Sequence, residues 1–330
     1  MLPLPLGTRC LTPQSIPTLL AIRQEHPGSI LVAGGTDVLY NAKYGLYGEA
    51  PTFVSLEEIR GFRGTTDDPR QPFISIGALT TLAEVEWWLT DRLPLLAKSA
   101  GLVGAPQHRS AGTIGGNIAL DTRCDWYNKD SLWRAALGGC LKKDGNTCHV
   151  TGSQTACVAA RSGDTVGPLL LYGASLEIHT HKGIRDVRLA DALTSSGFFP
   201  GHLALPSETF IRNIRVPRPV RGFRGAFVKV SPRLAISFST MTLSIGAWFQ
   251  STVCERVNIV ISSVRPQPRV LELPVGREMT EEVACEIAAK VGRATKPMTN
   301  VHGDLSFQTW RATKAEVEVR RALMDLARKN

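Results

Sequence analysis

The segment from Cys124 to Cys157 constrains this chain more than any other stretch. It gathers four of the seven cysteines at the spacing C-x15-C-x7-C-x8-C. It is polar, carries Gly138, Gly139 and Gly145, and shows neither a helical nor a strand period of apolar residues. Apolar sequence lies on both sides, in "LPLLAKSAGLVG" before it and "TVGPLLLYGASLEIHT" after it. The stretch therefore reads as an excursion from a folded unit, and its thiols need a purpose outside an ordinary core.

Seven cysteines, an odd number unevenly spread, suit no secreted disulfide scaffold. In a reducing compartment such a cluster reads as a metal site. Four thiolates fit a [4Fe-4S] cluster, and the three glycines let the backbone wrap one. Zinc is the weaker metal, because structural zinc sites generally contain a C-x2-C pair that is missing here. Unrelated thiols are the third alternative, and spacing alone does not separate the three. His149 is a further candidate ligand, and Trp126, Tyr127 and Trp133 are candidate shields against water. Cys10, Cys254 and Cys285 stand far apart in apolar or semi-apolar surroundings and read as small buried hydrophobes.

Two glycine-rich turns form the second constraint. "LVAGGTDV" runs from a strand into a turn whose backbone N–H groups can cradle phosphate oxygens. "SAGTIGGNIAL" offers the hydroxyl of Thr113 and the carboxamide of Asn117, while Gly115 and Gly116 admit a planar ligand close to the backbone. Each alone is as readily a plain turn. Together they suit a dinucleotide whose pyrophosphate needs several donors at once. Neither matches G-x-G-x-x-G or the P-loop.

With 330 residues, 43% of them hydrophobic, the chain is long enough for two or three domains. Its formal net charge of +9 is scattered rather than blocked, which speaks against nucleic acid. No apolar run is long enough to span a membrane, and "MLPLPLGTRC" lacks the regions of a signal peptide, so a cytoplasmic protein is expected. "TPQSIPTLLAIRQEHPGS" reads as a helix capped at Thr12, and "ILVA" as a short buried strand. "FISIGALTTLAEVEWWL" reads as strand, turn and capped helix. "DVRLADAL" and "ETFIRNIRV" are strand-like, and "PRPVRGFRG" has the composition of a linker. Beyond it, strands in "AFVKVS", "SFSTMTLSIGAWF" and "RVNIVISSV" precede helices in "TEEVACEIAAKVGRA" and "KAEVEVRRALMDLAR". The pattern is α+β, with no internal repeat.

"LVAGGTDV", "ISIGALTTLAEVE", "HRSAGTIGGNIA" and "SGDTVGPLLLYGA" together resemble, over nearly the whole length, the FAD-binding subunits of the xanthine dehydrogenase and carbon monoxide dehydrogenase superfamily of molybdenum hydroxylases. The resemblance implies an α+β fold with a two-subdomain FAD-binding domain of the PCMH type. Subdomain 1 would span residues 1–60, and subdomain 2 residues 61–222 with an inserted loop at 122–160. A carbon monoxide dehydrogenase flavoprotein-like α+β domain would follow at 223–330. Leu31, Val32, Ala33, Gly34, Gly35, Thr36 and Asp37 would surround the pyrophosphate of FAD. Thr113, Ile114, Gly115, Gly116 and Asn117 would lie near the flavin and diphosphate, and Asp164 on the ribose or adenine side. Lys229, in "AFVKVSPR", would stand near the flavin, where a cation stabilises charge on the reduced ring.

The thiol loop sits where the 4-hydroxybenzoyl-CoA reductase branch of that family carries a [4Fe-4S] cluster. This likeness implies Cys124, Cys140, Cys148 and Cys157 as ligands and a task of electron transfer. Electrons would pass from ferredoxin through [4Fe-4S] and FAD to partner subunits. Those partners are a small subunit with two [2Fe-2S] clusters and a large subunit with the molybdenum cofactor, assembled as a dimer of heterotrimers. Substrate chemistry, a reductive dehydroxylation of an aromatic CoA thioester, would fall on the large subunit, leaving no catalytic residue here. An oxidising relative of the xanthine dehydrogenase kind is the alternative. Lys129, Lys142 and Lys143 suggest a loop exposed to an acidic carrier. Two departures stand out: Ile236 and Ser237 occupy positions after Arg233 where many members have Asp, and a C-terminal Tyr-Arg pattern appears only loosely in "NVHGDLSFQTWRA".

Overall fold

Short apolar runs, each closed by a turn, open the chain. Arg9–Leu11 (β1), Ile30–Val32 (β2) and Thr52–Ser55 (β3) pair in parallel in the order β1-β3-β2. Parallel neighbours need crossovers, which helices Ile16–Glu25 (α1) and Val38–Lys43 (α2) supply. The cap of α1 is Ser15 rather than Thr12, because its hydroxyl accepts from the Thr18 amide while Pro17 sits in the first turn. This computed structural model describes residues 3–193, 209–233, 236–301 and 305–328. Part of the "NVHGDLSFQTWRA" stretch, at 302–304, lies outside them, as does Glu208 of "ETFIRNIRV".

The middle unit is an antiparallel sheet of Thr65–Thr66 (β4), Phe73–Gly77 (β5), Ser175–Thr180 (β6), Gly183–Arg188 (β7) and Phe210–Pro217 (β8), in the order β4-β5-β8-β6-β7. Between β5 and β6 the chain forms helices Leu82–Trp88 (α3), Pro94–Gly101 (α4), Pro106–Ala111 (α5), Ile114–Ile118 (α6), Ser131–Ala136 (α7) and Val166–Leu171 (α8). Thr81 and Glu84 close a capping box that starts α3. Ile74, Ile76, Leu176, Ile178 and Ile214 are buried in one core with Val85, Leu96, Ile114 and Leu169. Burying each such side chain contributes about 1.5–3 kcal/mol. "DVRLADAL" divides between the end of β7 and the short helix Leu189–Ala192 (α9), so only its first half is strand.

The last unit is a four-stranded antiparallel sheet, Phe223–Val230 (β9), Met241–Gln250 (β10), Val253–Ser262 (β11) and Arg269–Glu278 (β12), in the order β12-β11-β10-β9. Helices Glu281–Thr295 (α10) and Leu305–Arg328 (α11) pack together and share a core with Leu243, Ile245, Ile259 and Val257. Helix α8 of the middle unit packs on β10 and β11 as well. A side chain at Gly167 would come 2.5 Å from Ser244 Oγ, so the helix lies close against β10 here. Through this seam the middle and last units form one framework. Among the described residues no helix is long and apolar enough to cross a membrane.

Candidate functional site

A cavity of about 1000 Å³ opens where the three units meet, at the upper end of the range for small-molecule sites. Ala33 to Asp37, the turn between β2 and α2, form one wall, and Thr113, Gly115, Gly116 and Asn117 at the start of α6 form another. Gly35 turns the chain with φ of +68°, a conformation open to glycine at little cost. A side chain on Gly34 would reach within 1.9 Å of the Ala111 carbonyl oxygen, so the two walls touch through backbone. Among the described residues, no protein acceptor takes the amides of Gly34, Gly35 and Thr36. Unpaired donors in a row make an anion-binding concavity. The buried hydroxyls of Ser162 and Thr209 also line the cavity without a protein partner. These free donors fit the pyrophosphate and polar edges of a dinucleotide.

Most of the expected cradle residues line this cavity, but two do not. Val32 is held in the sheet opposite Ser55, and Ile114 is wholly buried in the core of the middle unit. Thr113 uses its hydroxyl to cap α6, accepting from the Gly116 amide at 3.1 Å. Asn117 accepts the amide and hydroxyl of Thr165 at 3.1 and 2.7 Å, which ties the start of α6 to the segment that carries Asp164.

Asp164 and Lys229 face each other instead of acting separately. Their charged atoms are 2.7 Å apart, and Ser239 donates to the other carboxylate oxygen at 2.8 Å. Burial raises the Asp164 carboxyl, with Lys229 and Ser239 pulling it back down. Both oxygens are engaged, and Asp164 is the partner of Lys229 at the cavity wall. Lys229 likewise is a neutralised cation at the cavity wall rather than a free one.

Arg123, which no motif singles out, joins three segments. It forms an ion pair with Asp37 of the first cradle, its guanidinium lies 3.6 Å from the ring centre of Phe238, and it directly precedes Cys124. Burial raises the Asp37 carboxyl, and Arg123 offsets part of that rise. Arg123 therefore fastens the cradle to the thiol loop.

Within that loop Cys124, Cys140 and Cys148 are buried and Cys157 is half-buried. Cys124, Cys140 and Cys157 belong to one apolar cluster with Tyr127 and Leu46. The amides of Trp126 and Tyr127 are directed at the Cys124 sulfur, that of Lys142 at Cys140, and that of Ala159 at Cys157, the last at 3.4 Å. Amides aimed at sulfur stabilise thiolate ligands. Burial pushes the Cys124 thiol up to about 12 and raises Cys140 and Cys157 too, so the free thiols stay protonated. A bound metal reverses that preference by holding thiolates. Among the described residues, no three His, Cys, Asp or Glu side chains converge on a point suited to one metal ion.

The loop is built by polar side chains that stand in for periodicity. Asp130 caps α7 by accepting from the Trp133 amide, and buried Arg134 pairs with Asp144 at 2.8 Å while Asp144 accepts from the Cys140 amide. His149 bonds the Gly139 carbonyl through Nε2 and stacks on Trp126. Trp133 is exposed and shields nothing. Lys142 is buried against Asp121, so of the three loop lysines only Lys129 and Lys143 face solvent. Outside the loop Cys254 is buried as expected, but Cys10 and Cys285 are exposed.

A strand-turn-helix cradle with free amides, closed by a second glycine turn and an ion pair, defines a nucleotide-cofactor domain. Residues 6–219 match the FAD binding domain in molybdopterin dehydrogenase, and the chain belongs to that family. It is 28% identical over 222 residues to the xanthine dehydrogenase FAD-binding subunit of Escherichia coli O157:H7, covering 66% of this chain and 60% of that protein. It is 25% identical over 219 residues to the nicotinate dehydrogenase FAD-subunit of Eubacterium barkeri, covering 64% and 58%. These matches thus span about 60% of the length of the curated relatives. A solved structure of CO dehydrogenase from Oligotropha carboxidovorans superposes with a TM-score of 0.75 at 20% identity, over 99% of this chain and 100% of that one. Quinoline 2-oxidoreductase from Pseudomonas putida 86 gives 0.74 at 17% identity, over 97% and 96%. The likeness to both is one of fold, a mixed α/β FAD-binding arrangement carried through the last unit.

Proposed function

We propose that this chain is the FAD- and [4Fe-4S]-bearing electron-transfer subunit of a molybdenum hydroxylase-type complex. The observation that carries the reading is a shared wall: Tyr127 lines the cavity and also packs with Cys124 and Cys140. A thiol loop of purely structural use has no need to border the cofactor cavity. FAD, when bound, supplies interconversion between one- and two-electron chemistry. The chain's own residues do the rest. The amides of Gly34, Gly35 and Thr36 hold the pyrophosphate, and Asn117 fixes the segment that carries Asp164. Asp164 and Lys229 present a neutral pair at the cavity wall, and Cys124, Cys140, Cys148 and Cys157 hold the cluster. Substrate chemistry belongs to a large molybdenum subunit, reached through a small subunit with two [2Fe-2S] clusters, in a dimer of heterotrimers working in the cytoplasm.

The thiol loop further favours a complex of the 4-hydroxybenzoyl-CoA reductase type, which takes electrons from ferredoxin and removes the phenolic hydroxyl of an aromatic CoA thioester. The names of the relatives, xanthine and nicotinate dehydrogenase, favour a second reading in which the complex oxidises its substrate. Anaerobic purification of the complex separates the outcomes. The first reading expects acid-releasable FAD, about four irons and four sulfides on this chain, and turnover of 4-hydroxybenzoyl-CoA with reduced ferredoxin. Iron and FAD with turnover only in the oxidising direction supports the second. A chain without iron removes the cluster from both.

A further inference from the structure

We propose that Asp121 and Lys142 form an oriented ion pair in the wall between the thiol loop and the flavin cavity, and that this pair positions charge so as to set the reduction potential of the loop's cluster. The proposal rests on the reading that the four thiols hold a [4Fe-4S] cluster.

Lys142 follows Cys140 by two residues, yet its side chain turns away from solvent. Nζ lies 2.6 Å from Asp121 Oδ1, 2.8 Å from Thr122 Oγ1 and 3.0 Å from the Thr122 carbonyl, so three acceptors meet its three N–H groups. It also stands 4.0 Å from the centre of the Tyr127 ring. Tyr127 in turn donates to Asp121 Oδ2 at 2.8 Å. Only 2% of the lysine side chain and 15% of the aspartate side chain are exposed. An ammonium removed from water is expensive, and a well-packed apolar side chain would hold the loop as well or better. The charge therefore calls for a use other than anchoring.

The two ends of the pair act on different neighbours. Lys142 stands two residues after Cys140 and over the Tyr127 ring, which packs with Cys124 and Cys140. The negative charge of Asp121 works on Asp37 of the flavin cradle, adding to the rise that burial causes there. The cation thus serves the thiols and the anion serves the cradle. A cation beside a redox centre favours the form that holds the extra electron, and the low-dielectric wall weakens this less than water does. Lys142 makes the cluster easier to reduce, and Asp121 holds that effect in check.

Redox titration of the full-length, anaerobically purified complex, followed by the low-temperature EPR signal of the reduced cluster, tests this. Lys142→Met should shift the cluster potential to more negative values, and Asp121→Asn should shift it to more positive values by uncovering Lys142. Lys142→Arg keeps the charge and should stay near the native value. The Lys142→Met, Asp121→Asn double variant should also return toward the native value. Opposite signs for the two single variants are the signature, because a merely structural role moves both the same way. A full complement of iron with equal or same-signed shifts overturns the proposal alone. A native chain that binds no iron overturns the cluster reading and the proposal with it.

Discussion

The ammonium of Lys229 lies 2.7 Å from Oδ2 of Asp164, with 7% and 4% of the two side chains exposed. A second N–H of Lys229 donates to the Leu102 carbonyl at 2.8 Å, so one lysine on β9 holds two segments of the middle unit. Removing one partner leaves a buried charge unmatched, which typically costs about 3–5 kcal/mol. Asp164→Asn and Lys229→Met should each lower the unfolding free energy by that order and reduce bound FAD. The double variant should recover much of the stability, since replacing a whole buried pair is far less harmful than breaking it. Urea denaturation of all three checks this, and a double variant worse than both singles contradicts it.

The backbone contact between the two glycine turns gives a sharper test of the cradle. In Gly34→Ala the added carbon meets the Ala111 carbonyl at 1.9 Å, so the turns must move apart. Overpacking of this kind costs about 1–3 kcal/mol. The FAD retained after gel filtration should fall several-fold. In Gly116→Ala the nearest atom is Thr113 Oγ1 at 3.0 Å, the flank is otherwise open, and most FAD should remain. Equal losses in both would mean that the turns do not close the cradle through Gly34.

Elements with strong local signals were readable from the sequence. "ILVA" is β2, and the capping box at Thr81 begins α3. The missed elements lacked such signals. Strand β12 contains Pro274 and Gly276, which normally argue against a strand, but β12 lies at the sheet edge where a missing N–H is tolerated. Helix α7 hides in the polar thiol loop, and Asp130 before "SLWRAA" was its only cue. In the site, glycine turns and cysteines were visible because their chemistry is local. Arg123, Asp121 and the pairing of Asp164 with Lys229 were not, because these contacts join residues up to 86 positions apart. The burial of Lys142 was misjudged for the same reason, its partner being 21 residues upstream.

Glu177 supplies a pH dependence with a definite sign. Burial raises its carboxyl, but His179, Arg215, Arg212 and Asn213 together outweigh burial and hold it below the ordinary glutamate range. Arg215 approaches it at 2.5 Å. Because the folded value lies below the unfolded one, the ionised carboxylate stabilises the fold above the ordinary range of about 4.3. That contribution is lost as pH falls through the folded value. Glu177→Gln should therefore cost about 1–3 kcal/mol at neutral pH, and the gap to the native protein should narrow in acid. Denaturation curves at a series of pH values read this directly, and a gap that widens in acid would show the sign to be wrong.

The cysteines allow the most discriminating experiment, because the structure sorts them by surroundings rather than by number. Cys148 is buried in the loop, where its amide donates to the Ser153 carbonyl at 2.7 Å and its carbonyl accepts from Gly152 at 2.7 Å. The turn is thus held by backbone, and Cys148→Ser should leave it folded while replacing a good iron ligand with a poor one. Iron and sulfide should fall to a small fraction of the native content. FAD should largely remain, since Cys148 does not line the cavity. Cys10→Ser and Cys285→Ser change exposed thiols and should alter neither cofactor. Cys254→Ser puts a hydroxyl into the core of the last unit, where Cys254 is fully buried, so it should lower stability by about 1–3 kcal/mol while iron stays bound. Iron, sulfide and flavin assays on the four variants yield a pattern, not a single loss. Iron lost from Cys10→Ser or Cys285→Ser, or fully kept in Cys148→Ser, would remove the loop from the cluster assignment.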